Sequence, residues 1–317
     1  MKNFWHELPK PIYVLAPMEG VTDTVFRRVI NYCGRPTVYF TEFTNVDGLF
    51  SKGAKQVEHR LMFTPEEKPL IAQIWGMRPE NYTKAAIKIK EMGFDGIDIN
   101  MGCPEKNVVK RGACAGLIHN PKLVAEIIEA TKEGANSLPV SVKTRLGIGE
   151  IETEEWVSFL LKQSLNALTI HLRTAREMSG PPPHWEELPK AVALRNEINP
   201  KTILLANGDI ESVTEAKEIV KKFGIDGVMI GRGIFKNPFL FEDKRRIEEL
   251  TLKERMDLLL THSALFEEVW GSDKHFEILR KFYKIYTSGL PNASELRQKF
   301  MTTQNLDEVK KIVVELT

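Results

Sequence analysis

The sequence predicts a parallel (β/α)8 barrel, the TIM barrel, followed by a small all-α helical domain. Eight short apolar runs alternate with helix-like runs up to about residue 240, and polar residues, glycines or prolines follow nearly every run. In such a barrel the loops at the carboxyl ends of the strands form the functional site, which explains where these residues cluster. An open, doubly wound parallel sheet is the alternative architecture, and the clustering favours the barrel.

Each predicted strand is a short run rich in β-branched and other apolar residues. The strands are predicted at residues 12–16, 38–43, 70–75, 94–100, 140–144, 167–172, 202–206 and 227–230. The intervening helices are predicted from apolar residues at helical spacing, as at Ala85, Ile89 and Met92. They cover residues 23–32, 81–92, 121–132, 154–163, a short stretch after Trp185 up to residue 195, and 212–223.

The alternation stops at about residue 243. Helices are predicted beyond it at residues 251–270, 274–287, 294–300 and 307–316. We therefore divide the chain into a barrel that carries the site, residues 1–243, and a C-terminal helical domain, residues 244–317.

Composition limits the classes of function. The 317 residues carry a formal net charge of +1, so a polyanion would have to be bound by a local basic patch. The three cysteines indicate a reducing compartment rather than a disulfide framework, and none has the spacing of a metal site. Residues 1–11 lack the apolar core of a signal peptide, and no apolar run is long enough to cross a bilayer. We expect a cytoplasmic, monomeric protein without a metal.

The stretch from Gly93 to Pro104 combines a buried strand with a loop of unusual chemistry. Asn100 places an amide at the end of the strand, and Cys103 follows it between Gly102 and Pro104. Glycine lets the backbone approach a ligand closely, and proline fixes the direction of the loop. A small buried cysteine in a tight turn is the alternative interpretation, and the residues at the other strand ends favour a site.

Two glycine-bearing loops follow the last two strands, where such barrels commonly bind a phosphate group. They contain Asn207, Gly208 and Asp209 after strand seven, and Gly231 and Arg232 after strand eight. Backbone N–H groups, a helix N-terminus and the guanidinium would suit a terminal phosphate. The two loops together predict a phosphorylated cofactor.

Lys143 lies in the fifth strand, and a lysine is rarely buried without a partner or a task. A Schiff base, a phosphate contact and a charge facing the electron-rich edge of a flavin are all open, as is a surface position at the strand end. Gln73 and Asn100 offer amides that could grip a planar, hydrogen-bonding ring, or could simply satisfy the ends of their strands.

His171, in the sixth strand, is either a satisfied core histidine or part of the site. Arg173 and Arg176 after it each need an anion or an acceptor, and the loop 173–185 is long for a barrel. Such a loop could cover a substrate or contact a partner.

These segments together resemble the tRNA-dihydrouridine synthase family over nearly the whole chain. The most specific of them is DINMGCP at residues 98–104. The others are APMEGVTD at 16–23, TEF at 41–43, AQIWG at 72–76, VKTR at 142–145, IHLRT at 170–174, ANGDI at 206–210, IGRG at 230–233 and GLPNASELR at 289–297. Leu172 and Cys114 depart from the family pattern, the first where a small residue is expected and the second as an additional thiol.

The resemblance implies FMN as the cofactor, NADPH or NADH as the electron donor, and reduction of the C5–C6 bond of uridine in tRNA. Carried over residue by residue, Cys103 would be the catalytic acid and Asn100 would lie near the flavin and the substrate. The residues that would hold FMN are Pro17, Met18, Glu19, Gln73, Lys143, His171, Asn207, Gly208, Asp209, Gly231 and Arg232.

We predict that local positive charge holds the tRNA. Lys274, Arg280, Lys281 and Lys284 lie in the predicted helix 274–287, the last three near one face at helical spacing. A solvated charged face is the alternative interpretation of this cluster. Arg173 and Arg176 are further candidates for substrate contact, and Phe282, Tyr283 and Tyr286 are predicted to pack in the helical core.

Two other functions compete with this interpretation. An FMN barrel that acts on a free pyrimidine, as the dihydroorotate dehydrogenases do, needs similar lysine and cysteine chemistry, but it has no use for a helical tail with a basic face. A noncatalytic tRNA-binding protein that keeps the barrel as a scaffold would not need Cys103, Lys143 and both glycine loops intact.

Overall fold

The computed structural model describes residues 3–316, and the chain divides into two compact units. The first contains the chain up to Thr24 together with Pro36–Ile210 and Thr214–Gly231. The second contains Val25–Arg35, Glu211–Val213 and the chain from Arg232 onward. The functional division predicted at residue 243 stays a prediction.

The first unit is a closed barrel of parallel strands. Its strands are β1 (Ile12–Leu15), β2 (Val38–Phe40), β3 (Thr44–Asn45), β4 (Leu70–Trp75), β5 (Gly96–Met101), β6 (Val140–Arg145), β7 (Ala167–His171), β8 (Ile203–Asn207) and β9 (Gly227–Ile230). β1 pairs with both β2 and β9, and β2 pairs with β4, while the two-residue β3 is an extra pairing on β4. Eight strands therefore close the barrel, which confirms the predicted fold and rules out the open sheet.

The closure between β1 and β9 depends on a glycine. Ile12 pairs with Gly227, and a Cβ atom on Gly227 would lie 2.1 Å from the carbonyl oxygen of Ile12. No side chain fits there, so glycine is what allows the last strand to approach the first.

Thirteen α-helices accompany these strands in the part of the chain that the structure describes. They are α1 (Thr24–Cys33), α2 (Val46–Leu49), α3 (Lys55–Glu58), α4 (Pro79–Glu91), α5 (Lys106–Lys110), α6 (Pro121–Ala135), α7 (Thr153–Lys162), α8 (Leu188–Ile198), α9 (Val213–Phe223), α10 (Leu252–Trp270), α11 (Tyr283–Thr287), α12 (Ala293–Met301) and α13 (Leu306–Leu316). Four short ones, α2, α3, α5 and α11, were not predicted as separate elements.

The predicted helix 274–287 is wrong as a single element. A 3-10 helix covers Phe276–Lys281, and α11 follows it after Phe282. Every residue of 282–287 except Lys284 is buried, and one face of an amphipathic helix cannot bury so many consecutive residues. The change of helix type accommodates this packing, and it removes the single-helix spacing that placed Arg280, Lys281 and Lys284 on one face. Phe282, Tyr283 and Tyr286 are buried, as predicted.

The core of the barrel is apolar toward the amino ends of the strands and polar toward their carboxyl ends. Alternate residues of each strand point inward, and the buried cluster that they form includes Val14, Phe40, Ile71 and Met229. Trp5 is fully buried in the same cluster, with Phe4 and Leu8 packed against it. The continuation of this inward-facing register on β4 to β8 carries Gln73, Asp98, Asn100, Ser141, Lys143, Thr169, His171 and Asn207.

Across residues 3–316, none of the helices combines the length and apolar character that crossing a bilayer would require. Over the same range, no group of three or more His, Cys, Asp and Glu side chains gathers in a way that could hold a metal ion.

Candidate active site

A chain of buried side-chain hydrogen bonds links the inner faces of β4, β5 and β6. Ser141 Oγ donates to Asp98 Oδ1 across 2.6 Å, and Gln73 Nε2 donates to Asp98 Oδ2 across 2.8 Å. Asn100 Nδ2 in turn donates to Gln73 Oε1 across 3.0 Å. The strand register makes these contacts natural, because Gln73 pairs with Asp98 and Asp98 pairs with Ser141.

The same chain reaches the backbone of the loop that contains Cys103. Asn100 Oδ1 accepts hydrogen bonds from the N–H groups of Gly102, at 3.0 Å, and Cys103, at 2.9 Å. On the other side of the loop, Arg145 Nε donates to the Gly102 carbonyl across 2.7 Å. The backbone before the thiol is therefore held by side chains of both β5 and β6.

Cys103 is half-buried and its surroundings favour the thiolate. The hydrogen-bonded thiol of Cys114 lowers the pKa of Cys103 to about 7, aided by the N–H of Glu105 and the charge of Arg145, although burial opposes the shift. The same contact, together with burial, raises the pKa of Cys114 well above its ordinary value. Cys114 therefore acts as the hydrogen-bond donor of this pair of thiols.

Lys143 occupies the neighbouring position on the barrel wall, paired with Asn100 across the β5–β6 ladder. Burial, and then the charge of Arg145, lower the pKa of Lys143 to about 8. No protein group within residues 3–316 accepts a hydrogen bond from Lys143 Nζ. A half-buried ammonium without a protein acceptor is a group prepared for an external one.

The long loop after β7 is fastened to the barrel by its arginines. Arg173 is buried, donates from Nε to the Pro181 carbonyl across 2.7 Å, and forms an ion pair with Asp209. Its Nη1 lies 3.1 Å from His171 Nε2, so His171 accepts this bond as a neutral ring. These contacts join the loop after β7 to the loop after β8.

Arg176 differs from Arg173 because its side chain is exposed. Its guanidinium packs over Gly149, where a Cβ atom would lie 2.9 Å from Nη2. Arg176 is thus exposed on the surface of this loop, as are Met178, Ser179 and Gly180.

Asn207 is the last residue of β8, and its Nδ2 donates to the Met229 carbonyl across 2.8 Å, which ties β8 to β9. Gly208 has φ +155°, and a Cβ atom there would lie 2.9 Å from Pro183. Only glycine fits this close approach. Gly231 follows β9 directly, and a Cβ atom on it would make ordinary contacts with Ala16 and Met18, so its backbone lies against the loop after β1.

The loop after β1 is organised around its own backbone. Met18 N–H donates to Thr22 Oγ1 across 2.9 Å, and Gly20 N–H donates to Glu42 Oε1. Glu19 is exposed and ion-paired with Arg60. Pro17 and Met18 are half-buried, and Met18 packs against the core cluster of the barrel.

The predicted basic residues of the second unit have individual surroundings. Lys274 Nζ lies 3.5 Å from the centre of the Trp270 ring, and Arg280 is 3.5 Å from Glu277. Lys281 and Lys284 are exposed. Arg232, which starts a 3-10 helix directly after β9, also belongs to this unit, and its assignment to a phosphate stays a prediction.

Three residues of the candidate site were not predicted from the sequence. Asp98 lies within the recognised motif without a role having been assigned, although its i, i+2 relation to Asn100 on one strand face was a signal. Arg145 likewise follows Lys143 by two residues. Cys114 gave no signal beyond being a second thiol, because its approach to Cys103 depends on the fold of the intervening loop.

The chain forms a closed parallel barrel. At the carboxyl ends of its strands lie a thiol, glycine-bearing loops and a lysine for which residues 3–316 provide no hydrogen-bond acceptor. This arrangement is typical of barrel enzymes. The sequence model of the family described as Dihydrouridine synthase (Dus) matches residues 14–316 of the chain. The chain therefore belongs to the dihydrouridine synthase family.

Related proteins match over nearly the full length. A probable tRNA-dihydrouridine synthase of Staphylococcus aureus (strain MRSA252) is 49% identical over 317 residues, covering 99% of this chain and 95% of that protein. The probable tRNA-dihydrouridine synthase 2 of Bacillus subtilis (strain 168) is 48% identical over 315 residues, covering 98% of this chain and 96% of that protein.

Solved structures share the fold at low identity. Morphinone reductase superposes with a TM-score of 0.53 and 15% identity over 74% of this chain and 85% of its own. Its complex with tetrahydroNAD gives a TM-score of 0.51, 15% identity, and coverage of 74% of this chain and 86% of its own. At this identity the likeness concerns the barrel fold alone.

Proposed function

We propose that the chain reduces the C5–C6 bond of specific uridines in tRNA to 5,6-dihydrouridine, with FMN bound in the barrel and NADPH or NADH as the source of electrons. One observation carries the proposal: Cys103 and Lys143 lie near the carboxyl ends of neighbouring strands. The pKa of Cys103 is lowered, and Lys143 has no hydrogen-bond acceptor within residues 3–316. Family membership supports the reaction, and the names of the two bacterial relatives support tRNA as the substrate.

The residues at the carboxyl end of the barrel would suit both the ring and the phosphate group of a flavin mononucleotide. Lys143 offers an ammonium that no described protein group accepts from, and this suits an electron-rich ring edge or an anionic cofactor. Gln73 and Asn207 would contact the ring, while the backbone around Gly208 and Gly231 would receive the phosphate. When bound, FMN supplies the hydride that adds to C6 of the uracil. Pro17, Met18, Glu19, His171, Asp209 and Arg232 complete the proposed cofactor set.

Cys103 holds the proton that the reaction needs at C5. Hydride addition at C6 leaves negative charge over C5 and O4, because the C5–C6 bond is conjugated to the C4 carbonyl. The S–H of Cys103 donates its proton to C5, and the thiolate left behind is stabilised by Cys114, the Glu105 N–H and Arg145. A pKa of about 7 suits an acid that must be reprotonated after each turnover near neutral pH.

Asn100 contributes mainly by holding the Cys103 loop. Its Oδ1 accepts two backbone hydrogen bonds, and its Nδ2 donates to Gln73 and carries a second hydrogen for the substrate ring. The target uridine must be turned out of the tRNA to reach this end of the barrel.

Local positive charge would bind the tRNA backbone. Arg176 is exposed on the loop after β7, and Lys281 and Lys284 are exposed in the C-terminal segment, which we assign to tRNA binding together with Lys274 and Arg280. Arg173, with its donors on protein acceptors, would act by shaping the loop. Phosphate contacts of this kind make affinity fall steeply with salt.

The test is direct. Purified protein with FMN and NADPH is given an unmodified tRNA transcript, with free uridine and orotate in parallel, and nucleoside mass spectrometry looks for uridine that has gained two hydrogens. Gain in tRNA alone supports the proposal, and gain only in a free pyrimidine moves the protein to the dehydrogenase class. Failure to bind any flavin would overturn the proposal at its basis.

Two cysteine variants sharpen the test. Cys103→Ala should abolish turnover while FMN content and tRNA affinity stay unchanged. Cys33→Ala is the matched control, since Cys33 is a buried cysteine of the second unit with no assigned role. Full activity in Cys103→Ala would exclude the assignment of the acid.

A further inference from the structure

Asp98 is a fully buried ionisable residue for which the reaction described above has no use. It lies in the middle of β5, and its two carboxylate oxygens accept from Ser141 and Gln73 at 2.6 and 2.8 Å. Burying a carboxylate in a barrel is costly unless its hydrogen bonds are satisfied. An apolar side chain would fill this position at lower cost, so packing alone does not explain why an aspartate is there.

The hydrogen bonds that start at Asp98 have one consistent direction. Gln73 gives its Nε2 to Asp98 and therefore turns Oε1 toward Asn100. Asn100 gives its Nδ2 to Gln73 and therefore turns Oδ1 toward the N–H groups of Gly102 and Cys103. Each amide has a donor end and an acceptor end, so fixing one amide fixes the next.

The groups at the two ends of this series of hydrogen bonds require the same donor-to-acceptor direction. At one end, backbone N–H groups can only donate; at the other, an ionised carboxylate can only accept. Burial raises the pKa of Asp98 to about 6, while its bonds from Ser141 and Gln73 and the charge of Lys143 oppose the rise. The carboxylate thus remains ionised near neutral pH, and the positive charge of Lys143 favours this ionised form.

We propose that Asp98 is a positioning residue: its carboxylate anchors the amides of Gln73 and Asn100, and through them it holds the backbone of the Cys103 loop in place. The meaning of this for catalysis rests on the proposed function, whereas the effect on the Cys103 thiol does not. Asp98 touches neither the thiol nor the loop backbone, so its influence passes through two other side chains.

Three variants separate this role from simple core packing. Asp98→Leu keeps the branched shape of the side chain with a larger volume and leaves Gln73 Nε2 without an acceptor. Asp98→Asn keeps one acceptor oxygen for Gln73, replaces the other oxygen with an NH2 donor and removes the charge. Ser141→Ala is the matched control, because it removes the other hydrogen bond to Asp98 but leaves the bonds from Gln73 to Cys103 intact.

The first readout is the rate of Cys103 alkylation by iodoacetamide as a function of pH, followed by peptide mass spectrometry, which needs neither flavin nor tRNA. In Asp98→Leu the loop loses its support, the thiol loses its aligned donors, and the midpoint of the alkylation profile should move to higher pH. Asp98→Asn should show a smaller shift, and Ser141→Ala should follow the wild-type profile.

The second readout is turnover on tRNA. Asp98→Leu should lower kcat about tenfold or more while KM for tRNA stays within about twofold, since loss of a buried acceptor misplaces the acid without touching the tRNA contacts. An unchanged alkylation profile in a folded Asp98→Leu protein would overturn the proposal. If that variant does not fold, an Asp98→Asn shift no larger than that of Ser141→Ala overturns it equally.

The two readouts also separate this inference from the proposed function. A shifted alkylation profile in a protein that never reduces tRNA uridine would leave the positioning role of Asp98 standing and remove the proposed reaction. Normal reduction of tRNA uridine with no effect of Asp98→Leu on either readout would do the opposite.

Discussion

Arg145 Nε donates a hydrogen bond to the carbonyl oxygen of Gly102 across 2.7 Å, joining the end of β6 to the backbone just before Cys103. Its Nη1 donates to the carbonyls of Thr174, at 3.0 Å, and Met178, at 2.7 Å, in the loop after β7. One buried guanidinium thus fastens two loops of the site at once. The planar, multi-donor shape of arginine is what makes this possible.

Arg145→Lys should therefore lower kcat by about one to two orders of magnitude, because a lysine keeps the charge but cannot serve three carbonyls from one plane. Single-turnover reduction of tRNA uridine measures the effect, and hydrogen exchange of residues 174–178 should rise in parallel. Arg35→Lys is the control, since Arg35 is exposed and donates to none of these carbonyls. Wild-type exchange in the Arg145→Lys protein would contradict the two-loop role.

The pH dependence of turnover should follow the protonation of Cys103. An acid catalyst must carry its proton, so kcat should be level at low pH and fall as pH rises through about 7, the pKa of Cys103. Cys114→Ala removes the largest influence that lowers this pKa, so the falling limb should move to higher pH. A limb that stays in place in Cys114→Ala would mean that the thiol pair does not set the acid's pKa, and Cys33→Ala should leave the limb unchanged.

Lys143 should contribute strongly to flavin affinity. Lys143→Met preserves the length of the side chain and removes the ammonium, so we expect FMN to bind about 10- to 100-fold more weakly. Titration of apo-protein with FMN, followed by quenching of flavin fluorescence, gives the dissociation constant. Lys310→Met, which alters an exposed lysine paired with Asp307, should bind FMN normally. Equal affinity in the two variants would remove Lys143 from the cofactor set.

The exposed lysines of the C-terminal segment should account for part of the salt dependence of tRNA binding. Neutralising Lys281 or Lys284 should weaken binding similarly for all tRNA sequences and reduce the slope of log affinity against log salt by roughly one per lost phosphate contact. Fluorescence anisotropy at several salt concentrations measures this slope. A slope unaltered in the Lys281→Gln/Lys284→Gln double variant would identify these lysines as a solvated face.

Gly134 should be essential to the packing of α6 against α4. A Cβ atom there would lie 2.2 Å from the Thr83 carbonyl oxygen and 2.8 Å from Ala86 Cβ. Gly134→Ala should therefore lower the free energy of unfolding by about 1–3 kcal/mol, despite the higher helix propensity of alanine. Urea denaturation measures the change, and the exposed neighbour substitution Glu133→Ala should stay within about 0.5 kcal/mol of wild type. Wild-type stability in Gly134→Ala would show that the two helices can separate without cost.

The barrel could be predicted because each strand is a short apolar run and each is followed by polar residues or glycine. The eight predicted strands are all present, and the fold class is confirmed. The segment 274–287 failed because its apolar residues are buried on several sides, and a periodicity argument assumes one buried face. Packing within the second unit decides its structure, and the local pattern does not reveal that packing.

The sequence predicts which residues lie at the carboxyl ends of the barrel strands, because the order of the strands determines this. It does not predict which of these residues contact each other. Strand ends gather by topology, so Gln73, Asn100 and Lys143 were placed on neighbouring strands correctly. The partners of Asp98 and Arg145 follow from strand register and from the path of the loops, neither of which a single sequence specifies.

Because Ile12 pairs with Gly227, β1 cannot form its pairing with β9 until the chain has been synthesised past residue 227. Until β9 has left the ribosome, the nascent sheet presents two unpaired edges, one on β1 and one on β8, that can join other growing chains. Lys143 and Cys103 are both synthesised well before that moment, yet a closed wall around them exists only after it. A fragment that stops short of residue 227 should therefore be recovered as aggregate, and chaperone occupancy of the growing chain should persist until the ninth strand emerges.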